Sequence, residues 1–188
     1  RLKPVRFRKF DRFFLSFLNP FQFHPVQTED LSKFRIHNQS FIMSYPLISP
    51  DQLKPLLGTE NLILVDARFS SDPKQTFEKG HLESARFVDP NEDLADIKAN
   101  LAEGGRHPLP EVSDFCEVLG RLGISPSSHV VIYDDQNGAN AAARMWWMLR
   151  ALGHEKVQVL EGGFQAGVAA GILTSTDTNP IEETSIYP

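Results

Sequence analysis

No stretch constrains the fold of this chain more than Val130 to Arg150. Val130-Val131-Ile132-Tyr133 is an apolar run rich in β-branched residues, the pattern of a buried strand. A short polar loop with one glycine follows, Asp134-Asp135-Gln136-Asn137-Gly138-Ala139-Asn140, and then an alanine-rich helix with a bulky apolar face. A strand, a tight loop and a helix N-terminus together gather backbone N–H groups into a cradle for an anion or an activated nucleophile. The residue at the head of this loop is Asp134. A carboxylate has no nucleophilic sulfur, and it would itself occupy the positive end of the helix. The stretch is built like an active site and lacks the obvious reactive atom.

The rest of the chain fits around this unit. Ser49-Pro50 reads as an N-cap followed by proline at the first helical position, opening a short helix that stops near Gly58. Leu62 to Arg68 is an apolar run ending in charge, the pattern of a central parallel strand. Thr76 to His81 reads as a helical turn closed by Gly80, and Ala85 to Val88 as a short strand. A long loop runs from Asp89 to Pro110. Glu111 to Leu122 is then a helix with Val112, Phe115, Cys116, Leu119 and Leu122 on one face. Lys156 to Leu160 is a further strand, closed by Glu161-Gly162-Gly163-Phe164, with a small-residue helix from Gln165. Strands alternating with helices predict an α/β fold with a mostly parallel sheet flanked by helices. Thr174 to Pro188 is polar and aperiodic and reads as the start of a linker, which bounds the domain at about residues 46–173.

Composition narrows the function classes. Residues 1–42 carry eight Lys/Arg and three Asp/Glu, whereas residues 43–188 carry eleven and twenty-one, so the body is acidic and offers no nucleic-acid footprint. One cysteine excludes an intrachain disulfide and a cysteine-based zinc site. No apolar run approaches the roughly 18–20 residues that span a bilayer. Nine of the fourteen Phe lie in residues 1–42, interleaved with Arg and Lys. This basic Phe-rich extension is expected to be a disordered leader, or to lie outside the native protein, whose start would then be Met43; an amphipathic membrane-surface or organelle-targeting segment is the competing reading. The corresponding location is cytoplasmic, or mitochondrial if the extension is a genuine leader.

Four groups of residues carry a resemblance to the rhodanese superfamily. Phe77-Glu78-Lys79-Gly80-His81-Leu82-Glu83-Ser84-Ala85 is similar to the family's aromatic–x3–His–aliphatic–Pro–Gly–Ala signature, with Glu83 and Ser84 in place of Pro and Gly. Asp66-Ala67-Arg68 resembles the Asp-x-Arg after its first core strand. Arg144-Met145-Trp146-Trp147 through His154, and Leu160-Glu161-Gly162-Gly163-Phe164, resemble the N-terminal domain of two-domain thiosulfate and 3-mercaptopyruvate sulfurtransferases. The resemblance implies a rhodanese-like three-layer fold. It also implies that a cysteine persulfide forms at the head of the cradle in the C-terminal copy, the N-terminal copy having lost that cysteine. Asp134 stands at the corresponding position, so the loop Asp134–Ala139 is expected to be vestigial, with no catalytic residue in this chain. The implied partners are a missing C-terminal catalytic domain, a small-molecule sulfur donor and a thiol acceptor such as thioredoxin; no cofactor, metal, nucleic acid or membrane is implied.

Each singled-out residue has a plain reading beside a functional one. Cys116, on an apolar helix face, reads as a small core residue rather than a sulfur carrier. His81 reads as a structural residue bonding the backbone rather than a base or metal ligand. Of Asp134 and Asp135, one caps the following helix and the other faces solvent or a partner domain; a carboxylate pair for acid–base work or Mg²⁺ is the alternative. Asp66 and Arg68 read as a structural ion pair, with Arg68 the residue to suspect of substrate contact at the strand's C-terminal end. Trp146 and Trp147 lie about 100° apart on a helix, so one is core and the other faces a sheet edge or the missing domain. Asn140 stands, with Ala141, where several relatives place aromatics toward the catalytic pocket. Arg106 and His107 either bind an anionic substrate or belong to a solvated loop. Two functions remain: one half of a tandem sulfurtransferase, or a free-standing non-catalytic binding module. A cysteine phosphatase fails, because it needs a thiolate and an arginine where Asp134 and Asn140 stand.

Overall fold

Two neighbouring strands buried on both faces set the architecture. The computed structural model describes residues 45–178 apart from 101 and 103, together with residues 187–188; the expectations for residues 1–42 and for 179–186 lie outside them. Strand β2 (Leu62–Asp66) pairs parallel with β5 (His129–Tyr133) over five register positions, from Leu62 opposite His129 to Asp66 opposite Tyr133. Ile63, Val65, Val130 and Ile132 face one hydrophobic cluster, and Leu64, Val131 and Tyr133 face another. Side chains alternate along a strand, so runs that are apolar at every position need cover on both faces.

Strands β1 (Leu47–Ile48), β4 (Arg86–Phe87) and β6 (Val157–Leu160) complete a five-stranded, all-parallel sheet in the order β1-β6-β5-β2-β4. Helices α3 (Val112–Arg121) and α4 (Ala141–Ala151) cover one face through Phe115, Leu119, Met145, Met148 and Leu149. Helices α1 (Pro50–Leu53, continued by a 3-10 turn over Lys54–Leu56), α2 (Pro73–Lys79) and α5 (Gly163–Ala169) cover the other, with Leu53, Phe77 and Phe164 packed there. The chain is thus an α/β layered domain with a parallel sheet between helices.

Helix starts follow local chemistry. Ser49 and Gln52 form a reciprocal capping box, the Ser49 hydroxyl accepting from Gln52 N and Gln52 Oε1 from Ser49 N. Helix α2 begins three residues before Thr76, because Asp72 caps Gln75 N at 2.9 Å and Pro73 takes the first helical position. Val112, expected on the apolar face of α3, is 64% exposed at the first helical position, and Cys116 is half-buried against the core. Helix α5 opens at Gly163 rather than Gln165, because Gly162 and Gly163 turn with φ of 72° and 61°.

The polar tail also differs from its reading as linker from residue 174. Strand β7 (Thr174–Ser175) pairs antiparallel with β3 (His81–Leu82), and Tyr187 is buried in the larger core cluster. Two residues of strand and one aromatic anchor leave no periodicity to detect.

Candidate functional site

At the end of β5 the backbone turns so that its amides converge on one side chain. Asp134 Oδ1 accepts from Gln136 N at 2.8 Å and Gly138 N at 2.7 Å, and Oδ2 accepts from Asn140 N at 3.0 Å and Ala142 N at 3.2 Å. The carboxylate is 1% exposed. A buried charge costs several kcal/mol unless it is well paired, and four charge-assisted bonds at a helix N-terminus supply that pairing. Asp134 thus caps α4 from outside the helix, where Asn140, at the N-cap position, makes no side-chain cap. The cradle is filled by the chain's own anion.

Two glycines make this loop fit. A Cβ on Gly163 would stand 2.3 Å from the Asp134 carbonyl oxygen, and one on Gly138 would stand 2.5 Å from Val159 Cγ1. Phe164 N donates to that Asp134 carbonyl at 2.8 Å, tying α5 to the loop. Asn137 takes a left-handed conformation at φ 58°. Gln136, Asn137, Ala139 and Asn140 face solvent. Asp135 is half-buried, and its Oδ1 has no hydrogen-bond partner among the described residues.

Beside the loop lies a cleft of about 190 Å³ lined by Phe69, Pro90, His107, Asn140, Ala141 and Arg144. His107 stands edge-on to Phe69 with ring centroids 6.4 Å apart. Arg144 holds the long loop against α4: Nε donates to Leu94 O at 2.8 Å, and Nη2 donates to His107 O at 3.1 Å and Pro108 O at 3.0 Å. Burial lowers its pKa. Asn140 therefore reaches the cleft, whereas Arg106 is exposed and does not line it.

Arg68 is placed elsewhere. Its Nε lies 3.0 Å from both Asp66 oxygens, its Nη2 donates to Gly80 O at 2.6 Å, and its guanidinium lies 4.1 Å from the centre of the Phe164 ring. The Tyr133 hydroxyl donates to Asp66 Oδ2 at 2.8 Å and accepts from Leu82 N at 3.0 Å. Burial, and then the Asp66 charge, push the phenol pKa far above its ordinary value. Asp66, Arg68 and Tyr133 thus join β2, β5, β3 and α5 in one buried network, and Arg68 is absent from the cleft lining. The role of Tyr133 is missed by sequence reasoning; its only signal is a phenol ending an otherwise apolar strand.

His81 is fully buried, stacked on Phe77 at 3.7 Å, with Nδ1 2.9 Å from Phe77 O and Nε2 without a hydrogen-bond partner among the described residues. Trp146 packs against the core and donates Nε1–H to Val157 O at 3.1 Å, whereas Trp147 is 52% exposed. Among the described residues no three His, Cys, Asp or Glu gather as metal ligands, and no helix is long and apolar enough to cross a membrane.

A parallel sheet between helices, with an anion cradle joining a central strand to a helix, defines a class of α/β domain. The chain belongs to the rhodanese-like domain family, whose model matches residues 49–170. It is 33% identical over 138 residues to the 3-mercaptopyruvate sulfurtransferase of Rattus norvegicus, covering 70% of this chain and 45% of that protein. It is 38% identical over 131 residues to thiosulfate/3-mercaptopyruvate sulfurtransferase 2 of Arabidopsis thaliana, covering 67% and 36%. The 3-mercaptopyruvate sulfurtransferase structure from Leishmania major superposes with a TM-score of 0.67 at 29% identity, over 77% of this chain and 41% of that one. The chain spans less than half the length of these relatives.

Proposed function

We propose that this chain is the non-catalytic, N-terminal half of a tandem sulfurtransferase. The whole protein would move sulfane sulfur from thiosulfate or 3-mercaptopyruvate to a thiophilic acceptor, cyanide or a thiol such as that of thioredoxin. The observation that carries this reading is Asp134, whose carboxylate takes up the four backbone N–H groups that would otherwise stabilise a thiolate or persulfide. The second half would supply the sulfur-carrying cysteine. This half would supply one wall of the cleft, with Asn140 and His107 on it.

The chain alone is expected to form no thiocyanate from thiosulfate and cyanide or from 3-mercaptopyruvate and cyanide, as parent or as Cys116→Ser. Turnover by the parent that disappears in Cys116→Ser would identify Cys116 as the carrier and overturn the reading. Exposed Trp147 favours a second reading, a free-standing binding module, because a half-exposed Trp is a common interface anchor. An open reading frame that stops near Pro188 would favour that module.

A further inference from the structure

Beyond β7 the chain is polar, yet Tyr187 is 6% exposed and sits within the larger hydrophobic core. Its hydroxyl lies 2.9 Å from His154 Nδ1, and His154 Nε2 lies 3.0 Å from the Ser128 carbonyl oxygen. A carbonyl only accepts, so Nε2 carries the proton, and in the neutral ring Nδ1 accepts the Tyr187 O–H. His154 is itself buried, 2% exposed. The phenol thus both wedges into the core and donates to a buried neutral imidazole.

We propose that Tyr187 and His154 form a pH-operated latch that fastens the chain at Tyr187 to the domain, closed while the imidazole is neutral and released when it is protonated. Protonation turns Nδ1 from acceptor to donor. The Tyr187 oxygen must then accept, its own hydrogen loses its acceptor, and a positive charge is buried between them. The groups facing the ring are Arg150 from α4 and His129 from β5, which both oppose a second positive charge. Tyr187 faces it from the tail, with Cys116 of α3 behind the phenol, and Glu155 and Lys156 follow His154 in the chain. Burial above all holds the imidazole below its ordinary value of 6.5, against hydrogen bonds to the Ser128 and Lys156 backbone that raise it, with Arg150 and His129 lowering it further. The Tyr187 O–H bonds only the neutral ring, and the phenol adds to the burial, so the imidazole has a lower pKa docked than released. Docking is favoured above the released value and weakens as pH falls through it toward the docked value.

Amide hydrogen exchange on the full chain at pH 7.5 and 5.5, expressed as protection factors, tests the latch. Protection at Tyr187 is expected to fall on acidification, by up to about tenfold for each pKa unit between docked and released imidazole, while Val131 in β5 keeps its protection. His154→Gln, which cannot titrate, is expected to abolish the difference between the two pH values. In Tyr187→Ala, the NMR-monitored pKa of His154 is expected to rise toward 6.5. The latch is overturned by unchanged protection at Tyr187, by Tyr187 and Val131 losing protection together, by a pH difference that survives in His154→Gln, or by a His154 pKa that ignores Tyr187→Ala.

Discussion

The Tyr133 hydroxyl donates to Asp66 Oδ2 at 2.8 Å, so the last residues of the central strand and its neighbour are tied side chain to side chain where β5 and β2 end. The same oxygen accepts from Leu82 N, and the same carboxylate holds Arg68. One buried phenol therefore coordinates the turn after β2, the end of β3 and the loop that leads to α4.

Removing that hydroxyl tests the network. Tyr133→Phe leaves the Leu82 amide and an Asp66 oxygen each short of a partner, and unsatisfied buried groups cost about 1–3 kcal/mol. Urea unfolding is expected to show a lower midpoint with an unchanged slope.

The Asp134 cradle makes a sharper prediction. Asp134→Ala is expected to lose about 2–3 kcal/mol, the upper end for a capping side chain. Asp134→Asn is expected to be no better, because its NH₂ would face two N–H donors. Formate should restore stability to the alanine variant by mass action and leave the asparagine variant unchanged. Equal formate responses would show that the N–H groups do not select for charge.

Asp134→Cys asks whether the loop suffices for chemistry. Little thiocyanate formation is expected, because the proposed second half of the cleft is missing. Robust cyanide-dependent turnover by this variant would show the loop to be self-sufficient.

Two glycines at positive φ separate conformational strain from collision. Gly153 has open space where a Cβ would go, so Gly153→Ala should cost about 1–2 kcal/mol, the left-handed penalty alone. Gly163→Ala adds a backbone collision with the Asp134 carbonyl and should cost at least about 3 kcal/mol. Thermal unfolding of both variants, measured side by side, checks the ordering.

Arg144 is expected to hold the cleft loop in place. Arg144→Ala removes the donor to Leu94, His107 and Pro108 carbonyls, and hydrogen exchange at Asp96, whose amide donates to the Pro108 carbonyl, should accelerate while β5 stays protected. Arg144→Lys should fail to restore protection, because an ammonium lacks the planar fork that reaches all three acceptors.

The order of strands and helices was legible because unbroken apolar runs such as Leu62–Val65 and Val130–Tyr133 can only be central parallel strands. Asp134 was legible as the residue at the head of the loop, because a strand followed by a glycine-containing loop and a helix directs its amides to that position. The edge strand β1 and the β3–β7 pair were not legible. Each has two residues, and their pairing is decided by neighbours far away in the chain. Arg68 was legible as the ion-pair partner of Asp66, two residues away, but its enclosure by Gly80 and Phe164 was not, because both are distant in sequence.

By itself the sequence determined the layer architecture, the Ser49 cap and the carboxylate at the head of the loop, because periodicity, capping chemistry and residue identity act over a few positions. Only the tertiary structure decided that Tyr133 reaches Asp66 and that Tyr187 returns to His154. Those partners lie on different elements, and their hydrogen bonds exist only once the sheet and its covering helices bring the side chains together.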